Sequence, residues 1–299
     1  MSVTQSEPSV SWPRRISPQR IGWMAMATAA LTAGLIAYGS WVRVSASGLG
    51  CPDWPLCDDS FIPSGRAAAI ESGHRWYAGG VMMLLAFTTF LAFLKRREYR
   101  WSSRILIASS AMLLIQAALG GVVVFTDLHP LTLLAHLALA MGIIALLTIG
   151  GTGLIWGGKP SVSKRGWHLL LGVAGVIMVG GSIVATQTTF DCSTLPFCSG
   201  ESSMASSLHG THRVLGVAVL IATIVLALRL RRRGDTGLYF KTALGVSLLI
   251  AAQITVGASA IALDVPDELR ILHVGLAAMI WWGMVGLWSL SARAAQRPT

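Results

Sequence analysis

Eight long apolar runs, separated by shorter polar connections, dominate the chain. They lie at about 21–44, 72–94, 105–126, 131–156, 167–188, 208–230, 240–262 and 271–292. The hydrocarbon core of a bilayer is about 30 Å thick, which a helix of about 20 apolar residues crosses. Each run has that length. The pattern predicts an all-α integral membrane protein with eight transmembrane helices.

Composition agrees with this. The chain is 54% hydrophobic and 12% charged, with a mean hydropathy of +0.65. Soluble domains carry about 25% charged residues, so this chain has too little polar surface to cover itself in water. The first twenty residues are polar and carry Arg14, Arg15 and Arg20, without a small-residue cleavage site after them. They read as a cytoplasmic tail, 1–20.

The net charge of +10 changes meaning once it is mapped. Alternate connections, together with both termini, hold 18 of the 23 basic residues, and the other connections hold ten of the 13 acids. The positive-inside rule then puts both termini in the cytoplasm. Topology and anionic lipid account for the basic charge, and no nucleic-acid partner is expected.

The two halves repeat. Gly39-Ser40, Cys51-Pro-Asp-Trp-Pro-Leu-Cys57, His74-Arg75, Gln116 and His136 follow one another in the first half. Gly181-Ser182, Cys192-Ser-Thr-Leu-Pro-Phe-Cys198, His212-Arg213, Gln253 and His273 follow in the second. The cysteine separation is six in both, and each glutamine precedes the last histidine by 20. This predicts two tandem four-helix bundles, 21–158 and 159–299. An even number of spans per unit relates the bundles by a pseudo-two-fold axis along the membrane normal.

His74, His136, His212 and His273 each fall near the start of an even-numbered span. The expected depth is three to six residues into the helix, roughly 5–9 Å along it. Ionisable groups at such depth mark functional sites. A histidine that merely bonds across a bundle is the plain alternative. Four at repeat-related positions favour a ligand role, and two facing imidazoles suit the axial positions of a heme iron. The small residues Gly73, Ala78, Gly79, Gly80, Gly210, Gly216 and Gly275 are expected to leave room for a flat macrocycle. Arg75 and Arg213 each follow a histidine directly. They are candidates for the heme propionates, since arginine binds carboxylate bidentately, or for lipid phosphate. His129 and His168 read as ordinary surface histidines.

All four cysteines, Cys51, Cys57, Cys192 and Cys198, lie in two connections assigned to the outside. There disulfides are permitted, and five intervening residues suit a metal site less well. One disulfide per loop is favoured, and spacing does not settle whether it is structural or redox-active. Glu71 stands three residues before His74 and shares its helix face. It is either a carboxylate at the same pocket or a favourable acid in a first helical turn. Its counterpart is His209, the sharpest difference between the halves. Gln116 and Gln253 are expected either to bond between helices or to touch the ligand, with the structural role favoured.

Together these residues resemble the heme A synthase family from span one to span eight. The carriers are Cys51 to Cys57, Glu71-Ser-Gly-His74-Arg75, Leu134-Ala-His136, Cys192 to Cys198, His212-Arg213 and Leu272-His273. The resemblance implies oxidation of the C8 methyl of heme O to a formyl group, giving heme A for cytochrome oxidase. Successive hydroxylations and loss of water from a geminal diol are implied as the route. It implies that His74 and His136 face the substrate heme, that His212 and His273 ligate a heme b, that Glu71 is catalytic, and that the loop cysteines pair. Heme O synthase, cytochrome oxidase assembly factors and membrane lipid are the implied partners, and the bacterial inner membrane the location.

Two other functions compete. A di-heme b cytochrome acting only in electron transfer would not require the Glu71/His209 difference. A transporter would place charges at the membrane midplane, where this chain has almost none.

Overall fold

The computed structural model describes residues 16–57, 63–157, 166–198 and 203–294. These contain eight helices. They are α1 (Pro18–Val44), α2 (Arg66–Leu94), α3 (Arg100–Phe125), α4 (Pro130–Trp156), α5 (Trp167–Ala185), α6 (Ser203–Arg232), α7 (Leu238–Ala262) and α8 (Asp267–Ala294). All eight are long and apolar enough to cross a membrane. The protein is an all-α, multi-pass membrane protein.

Local chemistry fixes several helix ends. Ser17 caps α1 by accepting the Arg20 N–H at 3.3 Å, with Pro18 following at the first helical position. The His129 ring does the same for α4, accepting the Leu131 N–H ahead of the first turn that Pro130 opens. Asp267 and Glu268 sit in the first turn of α8, where the helix dipole favours acids.

Several helices begin earlier than the apolar pattern predicts. Helices α2, α3 and α6 start at Arg66, Arg100 and Ser203, five or six residues upstream, and α8 at Asp267, four upstream. The added turn of α2 is Arg-Ala-Ala-Ala, rich in the best helix former, and in α3 the added Ser103 donates to the Ala92 carbonyl at 2.7 Å. Helix α5 ends earlier, at Ala185, where Gln187 turns the chain with φ +58°.

Helix α1 packs against α2 and α4, and α3 closes the ring by touching both. Helices α5 to α8 pack around in the same order. Contacts of α1 and α4 with α8, and of α4 with α5, join the two halves. The α1–α4 seam is close because it is built from small residues. A Cβ on Gly22 would lie 2.6 Å from the Gly151 carbonyl. Ile21, Ala25, Ala29 and Ala33, spaced by one helical turn, pack there with Ile143, Ile144, Leu147 and Leu154. Among the described residues, Trp281 and Arg43 hydrogen-bond across the halves. The Trp281 indole donates to the Met141 carbonyl at 2.7 Å, and Arg43 donates to the Val184 carbonyl at 3.3 Å. Met83, Phe87, Phe90, Leu114 and Leu248 are exposed, an outer surface suited to lipid and not to water.

Of the basic residues sorted by side above, Arg14, Arg15, Lys159, Lys164, Arg165 and Arg297 lie outside the described residues.

Candidate functional site

His74 and His212 sit deeper in their helices than expected, because α2 and α6 start early, while His136 and His273 sit at the expected depth. His74 follows Arg66 by eight residues and His212 follows Ser203 by nine. That is about 12–14 Å along the axis at 1.5 Å per residue. His136 and His273 each lie six residues after the start of their helix, about 9 Å.

Each ring rests on a glycine of the preceding helix. A Cβ built on Gly39 would stand 3.3 Å from His74 Cε1, and one on Gly120 would stand 3.5 Å from His136 Cε1. The matching distances are 2.9 Å for Gly180 and His212, and 3.0 Å for Gly257 and His273. At the two closer sites a methyl group has no place unless the imidazole moves. The first-half/second-half register follows these contacts. Gly39 precedes Cys51 by 12 residues and Gly180 precedes Cys192 by 12. Gly180, not Gly181, is therefore the structural counterpart of Gly39. Gly181 packs on Leu134 and Leu137 instead. Gly120 and Gly257 each precede their histidine by 16 residues.

The glutamines bond between helices. Gln116 Nε2 donates to the His136 carbonyl at 3.0 Å, and Gln253 Nε2 to the His273 carbonyl at 2.9 Å. Each ties α3 or α7 to the turn that carries a histidine.

The ring centres of His212 and His273 are 6.1 Å apart, tilted by 54°. Two imidazoles that share one metal through bonds of about 2 Å have ring centres about 6 Å apart. Among the described residues no three His, Cys, Asp or Glu side chains gather as metal ligands. A bare ion needs more protein ligands than two, whereas a heme brings four nitrogens of its own. His212 Nδ1 lies 3.0 Å from the Val176 carbonyl. A carbonyl only accepts, so Nδ1 carries the proton and Nε2 keeps its lone pair for a metal. The donor set of the second half fits a heme iron. In the first half, His74 and His136 lie within electrostatic reach of one another. The Nδ1 atoms of both are buried without a hydrogen-bond partner.

The small residues divide. A Cβ on Gly79, Gly80, Gly210 or Gly216 would meet nothing within 4 Å, and Gly216 lies one turn after His212. Gly73 and Gly275 are not open: the Tyr38 hydroxyl fills the space over Gly73, and Ala37 packs on Gly275.

The structure pairs Cys51 with Cys57 and Cys192 with Cys198. Each loop has an X–Pro bond in cis at the same register, Trp54–Pro55 and Leu195–Pro196. The first loop is tied to α2 by Glu71 and Arg75. Glu71, 4% exposed, accepts the Cys51 N–H through Oε2 at 2.9 Å and Arg75 Nη2 through Oε1 at 2.7 Å. Arg75 Nη1 donates to the carbonyls of Asp53, Pro55 and Leu56. Glu71 thus points at the loop and at Arg75, while its helix neighbour His74 points at Gly39. In the second half, Arg213 donates to the carbonyls of Thr194 and Pro196, each at 2.8 Å, and to Cys192 Sγ at 3.0 Å. His209, at the Glu71 position, is buried with Nε2 2.9 Å from the Thr188 carbonyl. Both arginines hold loop carbonyls, a contact that sequence does not announce.

Tyr38 also escaped the sequence. Its ring meets His74 edge-on at 5.7 Å. In the Gly39/Gly180 register its counterpart is Val179, so the aromatic neighbour belongs to the first half alone.

Residues 22–72 and 65–285 match the family model COX15-CtaA, described as cytochrome oxidase assembly protein. The chain belongs to this family. The heme A synthase of Shewanella oneidensis is 26% identical, over 87% of this chain and 93% of its own length. That of Symbiobacterium thermophilum is 26% identical, over 86% and 91%, and that of Bacillus mycoides 25%, over 70% and 74%. The match to this cytochrome oxidase assembly family spans all eight helices, so both histidine pairs, both disulfide loops and Glu71 lie within it.

Proposed function

We propose that this cytochrome oxidase assembly protein is a heme A synthase, oxidising the C8 methyl of heme O to a formyl group. The observation that carries this is the pairing of histidines in two repeat-related halves, in a chain whose relatives along most of their length are heme A synthases. The pair His212 and His273 would hold a heme b, and His74 and His136 would face the substrate. A heme b held there supplies one-electron storage and transfer. The di-heme electron-carrier alternative draws no support from these relatives.

The residues of the chain then divide the work. Gly39, Gly120, Gly180 and Gly257 set the four rings by close contact, and Gln116 and Gln253 fix the backbone behind two of them. Arg75 and Arg213 hold the disulfide loops over the two halves. A guanidinium has five N–H donors in a planar fork, and those left over from the loop carbonyls are the proposed partners of the propionates. Glu71, which the resemblance makes catalytic, has both oxygens engaged. This supports a positioning role, in which the carboxylate keeps Arg75 and the Cys51 loop against α2.

The proposed topology puts the basic-rich connections and both termini in the cytoplasm and the disulfide loops outside. The proposed units are 21–158 and 159–299, related by a pseudo-two-fold axis along the membrane normal.

The test is co-expression of the full chain with a heme O synthase, followed by extraction of the hemes. Heme A, or its hydroxylated precursor, is the expected product. Well-folded protein with heme O alone would overturn the proposal.

A further inference from the structure

The two halves do not hold their histidines alike. In the second half the His212 Nδ1–H donates to the Val176 carbonyl at 3.0 Å. Val176 lies on α5 one turn before Gly180, the glycine under the same ring. Helix α5 therefore supports His212 twice, once by contact and once by hydrogen bond. In the first half the Gly39 contact is present, and the matching carbonyl one turn before it is that of Leu35. His74 does not use it. Its Nδ1 is buried and unpartnered, and so is that of His136. Tyr38 stands edge-on to the His74 ring. Val179 occupies the corresponding place beside His212.

A ring N–H that donates to a carbonyl fixes the tautomer, orients the ring and makes the opposite nitrogen a stronger ligand. Loss of such a partner typically weakens metal binding by about 10–100-fold. The Nδ1 of His273 is buried and unpartnered too, so the second pair has one anchored histidine, His212, and the first pair has none.

We propose that the first half binds its heme through unanchored histidines so that the heme can be exchanged, whereas the Val176 carbonyl makes His212 a retained ligand. This rests on the proposed function, in which one heme must enter and leave and the other must stay. Chemistry and retention need not be assigned to different metals or different ligand types. The presence or absence of one backbone acceptor separates them.

Ferric heme b is added to the purified full chain so that both halves are occupied, and its release into excess apomyoglobin is followed. Two phases are expected, differing in rate by about 10-fold or more. His74→Ala should abolish the fast phase and His212→Ala the slow one. A single rate, or a fast phase that disappears with His212→Ala, overturns the proposal.

A second pair of variants tests the cause. The Cβ of residue 39 would stand 3.9 Å from His74 Nδ1 and 4.0 Å from Nε2, so with Nε2 taken by the heme a serine hydroxyl there has Nδ1 within hydrogen-bond reach. Gly39→Ser should slow the fast phase about 10-fold relative to Gly39→Ala, which adds the same Cβ without an acceptor. Equal rates in the two variants refute the anchoring explanation. The release measurement does not depend on product formation. Failure to make heme A would overturn the proposed function and leave the release phases to be judged separately.

Discussion

Glu71 Oε2 accepts the backbone N–H of Cys51 at 2.9 Å, across 20 residues of sequence. The same carboxylate holds Arg75, so one buried acid joins a disulfide loop to the helix that carries His74. Glu71→Gln keeps an acceptor for Cys51 but removes the charge-assisted bond to Arg75. Such bonds are worth about 1.5–3 kcal/mol. The expected outcome is a Cys51–Cys57 bond reduced faster by dithiothreitol, heme A formation down at least about 10-fold, and bound b-type heme unchanged. An unchanged reduction rate with lost product would assign Glu71 to the chemistry itself.

Arg213 plays the same part in the second half without an acid beside it. Arg213→Ala removes two carbonyl contacts and the contact to Cys192 Sγ. Mass labelling after mild reduction should then detect Cys192 and Cys198 before Cys51 and Cys57. Equal labelling of the two loops would show that Arg213 does not hold the second one.

The glycine beneath His273 is expected to be intolerant. Gly257→Ala puts a methyl 3.0 Å from His273 Cε1, and overpacking of this kind costs about 1–3 kcal/mol. Purified Gly257→Ala should carry at least about five-fold less b-type heme. Gly245 lies on the same helix, and a Cβ there meets nothing within 4 Å. Gly245→Ala should keep its heme and be as stable as the parent or slightly more so, since alanine favours helix over glycine by about 1 kcal/mol. Similar heme loss in both variants would refute the cradle.

The spans were legible because an apolar run of bilayer length has few other uses. The helix starts were not, at α2, α3 and α6. Glu71 and His209 lie in the second turns of α2 and α6, and only the loops that fold back supply their partners. The histidines stood out by repetition, and the structure brings His212 and His273 together across α6 and α8. The roles of Arg75 and Arg213 as loop holders were hidden, since a backbone carbonyl leaves no mark in a sequence. Gly39, Gly120, Gly180 and Gly257 were hidden among the 32 glycines of the chain. Only the equal offsets within the repeat distinguish them.

Labour is divided between two histidine pairs, and the heme content of single variants reports on each. His74→Ala and His212→Ala variants of the full chain would be purified after co-expression with a heme O synthase. Their hemes would be quantified as pyridine hemochromes and by extraction. His74→Ala is expected to keep its b-type heme and make no heme A, and His212→Ala to lose the b-type heme. Loss of b-type heme from His74→Ala with retention in His212→Ala would contradict this division.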